Sequence, residues 1–221
     1  MNRYDLVLFD IDGTLLDTAD DITNAANYAL RTLGYPERTV DEVRSFVGNG
    51  VRNRVIRCMP ESERGKEDKI AKMTDLYRSH YIAHICDNTK PYPGIPELLE
   101  ALKRKNIRLG VLSNKGDDVS KMLMERYFGD LFDTVYGKRN DYPRKPAPDS
   151  LFAILSELRI SPDRIAYVGD SEVDVALCRN AGVDGCFVSW GFRTKEQLLA
   201  NGADPIINNA NELKTFLLSE K

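Results

Sequence analysis

Asp10 and Asp12 are the residues of this chain whose types and spacing most readily do chemistry. They stand in Phe9-Asp10-Ile11-Asp12-Gly13-Thr14-Leu15-Leu16-Asp17, directly after the apolar run Leu6-Val7-Leu8-Phe9. A spacing of two turns both carboxylates to one side of a still-extended backbone. Gly13 then lets the chain turn sharply where a Cβ would interfere. Carboxylates this close favour a hard cation beside them, or a proton shared across them. One could attack a phosphoryl group while the other moves the proton. The bland alternative is a solvated acidic turn. An EF-hand is excluded, because the glycine is the fourth residue counted from Asp10 and not the sixth. A dinucleotide site is excluded too, since no G-x-G-x-x-G follows the strand.

The elements around this stretch must place it. Leu6 to Phe9 has the continuous apolar character of a buried parallel strand, so Asp10 sits at its carboxyl end. Asp17-Thr18 offers an N-cap, and Ile22, Ala25, Ala26, Ala29, Leu30 and Leu33 recur at helical spacing up to a stop at Gly34. Thr39-Val40-Asp41-Glu42 reads as a capping box, and Gly48-Asn49-Gly50 as a turn before a further helix from Val51. No convincing strand occurs before about Asn88. From Pro91 the texture changes to alternating helix and strand. Strands are expected at 108–112, 134–136, 164–168 and 186–188, with a short edge strand at Ile206-Ile207. The expected fold is α/β: a doubly wound parallel sheet, Rossmann-like, with an inserted all-helical cap. Its core is expected over residues 1–16 and 89–221, and the cap over 17–88.

Comparing the strand ends strengthens the chemical reading. Asp10 and Asp12 end the first strand, Ser113-Asn114 the second, and Asp170-Ser171 with Asp174 the fourth, while Lys145 opens a helix after the third. All fall on the carboxyl edge of the sheet, where open α/β folds bind ligands. Acids for a cation, a hydroxyl and an amide for an anion, and one ammonium together match phosphoryl transfer, in which catalysis is mostly positioning and charge stabilisation. Gly48, Asn49 and Gly50 can also present backbone N–H groups to an anion, and Arg52 can pair with a carboxylate.

The set Asp10-Ile11-Asp12-Gly13-Thr14, Ser113-Asn114, Lys145-Pro146 and Gly169-Asp170-Ser171-Glu172-Val173-Asp174 resembles the haloacid dehalogenase superfamily. The resemblance runs along essentially the whole chain, in order. It implies that Asp10 is a nucleophile forming an aspartyl-phosphate, and that Asp12 serves as general acid and then base. Ser113 and Lys145 would hold the phosphoryl oxygens, with Thr14 and Asn114 assigned to substrate binding. Magnesium would be held by Asp10, Asp170 and the Asp12 carbonyl, with Asp174 in support. Dehalogenase members lack an acid where Asp12 stands, and the transport ATPases carry threonine there, so a phosphatase is implied. Val47-Gly48-Asn49-Gly50 and Trp190-Gly191-Phe192-Arg193 are similar to the phosphoglycolate phosphatases, implying 2-phosphoglycolate as substrate. A pyrophosphatase, a sugar-phosphate phosphatase or mutase, and a non-catalytic phosphate-ligand binding protein are the alternatives.

Composition narrows the partners. With 31 basic and 34 acidic residues the net charge is −3, so a nucleic-acid or anionic-membrane surface is not expected. Cys58, Cys86, Cys178 and Cys186 show no C-x-x-C spacing, and neither a signal peptide nor a long apolar span is recognisable. A cytoplasmic enzyme acting on a small phosphorylated metabolite, as a monomer or weak homodimer, is the expectation.

Overall fold

The computed structural model describes residues 2–219. The chain divides into two compact units. One comprises the chain up to Leu16 and from Pro91 onward; the other is Asp17–Lys90.

The first unit is built on a six-stranded sheet, all of whose pairings are parallel. In chain order its strands are β1 (Leu6–Phe9), β4 (Arg108–Gly116), β5 (Thr134–Lys138), β6 (Ile165–Gly169), β7 (Asp184–Val188) and β8 (Ile206–Ile207). Their spatial order is β5-β4-β1-β6-β7-β8. Two short strands, β2 (Leu16–Asp17) and β3 (Lys90–Pro91), pair separately where the chain leaves this unit and returns to it. Helices α5 (Ile95–Arg104), α6 (Asp117–Phe128), α7 (Asp149–Leu158), α8 (Glu172–Ala181), α9 (Lys195–Ala200) and α10 (Ala210–Leu217) alternate with the strands. This is the doubly wound α/β architecture that the sequence implies. β1 lies between β4 and β6 in register, Leu6 opposite both Arg108 and Ile165. After β1 the chain builds outward through β4 and β5, then resumes on the other side with β6. The winding therefore reverses beside β1, and its carboxyl end is the crevice where such sheets bind ligands. Leu6, Val7, Leu8 and Phe9 are all completely buried, as are Ile165, Ala166, Tyr167 and Val168, which explains why neither run alternates in polarity.

The second unit is helical: α1 (Ala19–Thr32), α2 (Val40–Phe46), α3 (Val51–Cys58) and α4 (Glu67–His84). Thr39 and Glu42 form the capping box that opens α2. Gly34 follows α1 with φ of +72°, and Tyr35 N–H returns to the Leu30 carbonyl in the manner of a Schellman stop. Asp21 is buried and ties down the end of the unit by accepting from the backbone N–H groups of Asn88 and Thr89 and from both their side chains.

Several boundaries differ from the sequence expectation. β4 and β5 run on to Gly116 and Lys138, because neighbouring parallel strands extend each other past the apolar stretch. Lys145 does not open α7: the helix starts at Asp149 with Pro148 as its N-cap, and Lys145 lies in the turn before it. β2 and β3 are two residues each, too short for any periodicity to reveal.

Candidate active site

Asp10 continues the β1 ladder by one residue, its N–H donating to the Val168 carbonyl at 2.9 Å. The chain then folds tightly: the N–H groups of Thr14, Leu15 and Leu16 all point to the Ile11 carbonyl. Gly13, at φ +82°, permits this turn, and a Cβ there would lie 2.2 Å from Asp170 Oδ2. The loop after β1 thus brings Asp10 beside the carboxyl end of β6, where Asp170 follows Gly169.

Lys145 sits at the centre of the cluster. It is almost fully buried, with Nζ 3.1 Å from Asp10 Oδ2 and 2.8 Å from Asp174 Oδ1. It also donates to the Tyr167 hydroxyl at 2.6 Å. Burial opposes its charge, but the two carboxylates prevail and raise its pKa. Tyr167 in turn donates to the Leu112 carbonyl at 2.9 Å. Burial, then the charges of Asp174 and Asp10, push its phenol well above the usual range, so it stays neutral.

The acids respond in opposite directions. Burial pushes Asp10 up to about 6, against the pull of Lys145 and with the nearby Asp174 charge adding to the rise. A hydrogen bond from Ser113 favours its charged form. Burial also drives Asp170 well above the carboxylate range, aided by Asp174 and Asp10. Asp174 is completely buried too, yet Lys145, Ser171 and Tyr167 hold it below its ordinary value. One oxygen each of Asp10, Asp170 and Asp174 lie within 4.8 Å of one another. Three crowded carboxylates, two of them strained upward by burial and like charge, form a hard-oxygen donor set suited to a divalent cation such as magnesium.

Asp174 has a second duty. Its Oδ2 accepts from the N–H groups of Asp170 and Ser171 and from the Ser171 hydroxyl, making it the N3 partner of the α8 capping box. With Lys145 and Tyr167 on Oδ1, both oxygens are engaged. Gly169 is required beside it, since a Cβ would come within 2.3 Å of the Asp174 carboxyl carbon.

Two residues assigned from sequence to substrate binding have other work. The Asn114 amide brackets Lys145, its Nδ2 donating to the Lys145 carbonyl and its Oδ1 accepting from the Lys145 N–H. Thr14 Oγ1 donates to Asp170 Oδ1 at 3.3 Å and is completely buried. Gly48, Asn49, Gly50 and Arg52 belong to the helical unit. There Arg52 makes a two-pronged contact with Glu67, both oxygens 2.7 Å from Nη2. Gly48 and Gly50 take positive φ of 120° and 83°, and Gly50 caps α3.

Two residues of the site escaped sequence reasoning. Lys115 Nζ spans both oxygens of Asp12, at 2.7 and 2.9 Å, and both side chains are nearly buried. The signal was present: Lys115 follows Ser113 by two residues in an extended strand, so the two share a face. Tyr167 carried no such signal, because an aromatic residue within a hydrophobic strand reads as packing.

A reversing parallel sheet with four acids and two buried lysines at its carboxyl edge delimits a class. The chain matches the family model of the haloacid dehalogenase-like hydrolases over residues 7–188, and it belongs to that family. Within it, the chain is 34% identical to a phosphoglycolate phosphatase of Aquifex aeolicus over 85% of each chain, and 29% identical to one of Nitrosococcus oceani over 98% of each. A crystal structure from Lactobacillus delbrueckii subsp. bulgaricus, whose assignment as a phosphoglycolate phosphatase is itself a proposal, superposes with a TM-score of 0.92 at 32% identity over the full length of both chains. The protein is a phosphatase. Among the described residues no helix is long and apolar enough to cross a membrane.

Proposed function

We propose that this phosphatase hydrolyses a small anionic phosphomonoester, 2-phosphoglycolate, through an aspartyl-phosphate on Asp10. The observation that carries the mechanism is the pairing of Asp10 with buried Lys145, two residues before Asp12 in a tight turn. The substrate is suggested by the relatives that bear that name. An Asp10 oxygen attacks phosphorus, and the bond from phosphorus to the leaving oxygen breaks. Asp12 delivers a proton to that oxygen, so the alcohol departs neutral. Water then attacks phosphorus as Asp12 takes its proton, and the bond from phosphorus to Asp10 breaks, releasing inorganic phosphate. Lys145 and Ser113 stabilise the phosphoryl oxygens throughout. Magnesium, when bound by Asp10, Asp170 and the Asp12 carbonyl, neutralises phosphoryl charge.

Purified protein is expected to release phosphate from 2-phosphoglycolate faster than from sugar phosphates, nucleotides or pyrophosphate, and chelation should abolish release until magnesium is restored. A preference for another ester would remove the substrate assignment alone. Full activity after exhaustive chelation and dialysis would remove the metal requirement.

The proton role of Asp12 has its own signature. Asp12→Asn keeps the shape facing Lys115 but cannot donate or accept the proton. It should lower turnover of an alkyl phosphate by roughly 10²–10⁴-fold. The loss for p-nitrophenyl phosphate, whose leaving group needs little protonation, should be markedly smaller for the first step in single-turnover measurements. Equal first-step losses on both substrates would count against the assignment.

A further inference from the structure

The loop after β7 makes three contacts with the site that the proposed chemistry does not use. Trp190 Nε1–H donates to the Thr14 carbonyl at 3.2 Å, reaching the loop that carries Asp10 and Asp12. The Phe192 N–H donates to Asp170 Oδ2 at 2.7 Å. Arg193 Nε and Nη2 pair with the two Glu172 oxygens at 2.7 and 3.0 Å, at the start of α8. Gly191 lies in the middle of these anchors. A Cβ on it would stand 2.3 Å from Asp170 Cβ, 2.4 Å from Asp170 Oδ2 and 2.5 Å from the Gly13 carbonyl oxygen.

These distances are decisive because Gly191 has no conformational reason to be glycine. Gly13 adopts a positive φ, whereas Gly191 is absent from the positive-φ glycines of this chain. Only close approach requires it. One of the three obstructing atoms is backbone, which a rotamer change cannot move aside, and the other two belong to Asp170. Any side chain at 191 must therefore displace either the Gly13 carbonyl or Asp170 itself. Asp170 is held on its two oxygens by different segments, Thr14 Oγ1 on Oδ1 and Phe192 N–H on Oδ2. Loss of either anchor frees the carboxylate to rotate.

We infer that Trp190-Gly191-Phe192-Arg193 is a clamp that fixes Asp170 against the Asp10 loop and so sets the affinity of the cation site, with Gly191 as its positioning residue. This rests on the reading that Asp10 and Asp170 hold magnesium. A carboxylate kept in its binding orientation loses less freedom when the cation arrives, so the clamp acts on metal affinity and leaves the phosphoryl chemistry untouched.

The test is magnesium binding by the full-length protein, followed by titration calorimetry without substrate and by turnover as a function of magnesium. Gly191→Ala should weaken calorimetric binding at least tenfold and raise the magnesium needed for half-maximal turnover by a similar factor. Its kcat at saturating magnesium should stay within about threefold of wild type. Binding equal to wild type, or a kcat deficit that magnesium does not relieve, would overturn the inference. If Gly191→Ala does not fold, Trp190→Phe decides: it keeps an aromatic ring but removes the N–H to Thr14. At least threefold weaker magnesium binding supports the clamp, and unchanged binding overturns it. Wild-type protein that binds no magnesium would defeat the underlying metal reading itself, an outcome distinct from equal binding by wild type and variant.

Discussion

Asp10→Asn is expected to abolish phosphatase turnover, by roughly 10³-fold or more, while making the metal-free protein harder to unfold. The loss follows because a neutral amide cannot attack phosphorus. The gain follows from the environment. Burial and the Asp174 charge raise the Asp10 carboxyl to about 6, so its ionised form is strained in the folded protein. The folded state therefore retains a proton that the unfolded chain releases near pH 4. Between about pH 4 and 6 stability falls as pH rises, by about 1.4 kcal/mol for each unit, giving on the order of 3 kcal/mol in all. Above pH 6 the penalty is fully present, and the isosteric amide removes it. Lys145 keeps Asp174 and Tyr167 as partners in the variant. Thermal melts in chelator at pH 7.5 should show a higher Tm for the variant. A variant keeping a tenth of wild-type turnover would refute the nucleophile, and a Tm several degrees below wild type would refute the crowding argument.

Lys145→Met is the expected opposite case, losing activity and stability together. Removing the ammonium leaves Asp10 and Asp174 buried without their shared counter-charge and deprives the Tyr167 hydroxyl of a donor. Breaking a buried pair by removing one partner costs about 3–5 kcal/mol. In the wild type burial raises the Asp174 pKa, and the Lys145 charge does most to hold it below its ordinary value. That contribution is present above the usual carboxylate range and is lost as pH falls below it. In the variant both carboxyls are raised by burial, so protonation relieves the strain. The deficit measured by urea denaturation should therefore be large at pH 7.5 and smaller at pH 5. A deficit independent of pH would show that packing, not charge, is responsible. Lys145→Arg should not rescue activity, since a broad guanidinium does not fit where a single ammonium meets three oxygens.

The sequence was most informative where chemistry and periodicity coincide. Leu6 to Phe9 and Ile165 to Val168 are apolar without alternation because both faces are covered, and each ends on an acid that the sheet brings to one edge. The helical stretch after Asp17 was legible through capping residues and helical spacing. What stayed hidden depends on side chains that meet only in three dimensions. Asn114 looked like an anion donor, yet its amide is matched to the Lys145 backbone thirty-one residues away. Asp174 looked like a metal ligand, yet it is also an N3 capping acid, a role its spacing of three from Ser171 could have suggested. The Lys115 signal is masked by Ser113-Asn114, which already fill the expected role, and Tyr167 carries none because its hydroxyl meets Leu112 and Lys145 from a different strand and a different loop.

The pairing of β2 with β3 carries an evolutionary consequence. The chain leaves the sheet-bearing unit after Leu16 and rejoins it at Pro91 through two strands that lie side by side. The intervening segment therefore begins and ends at one point, as a domain inserted into a surface turn does. Its length and sequence can drift without altering the register of β1 against β4 and β6, on which Asp10, Ser113 and Asp170 depend. Descendants of such a chain can exchange the inserted segment wholesale while inheriting the strand ends unchanged. The residues at the strand ends can then stay fixed while the inserted segment diverges at its own rate within one gene.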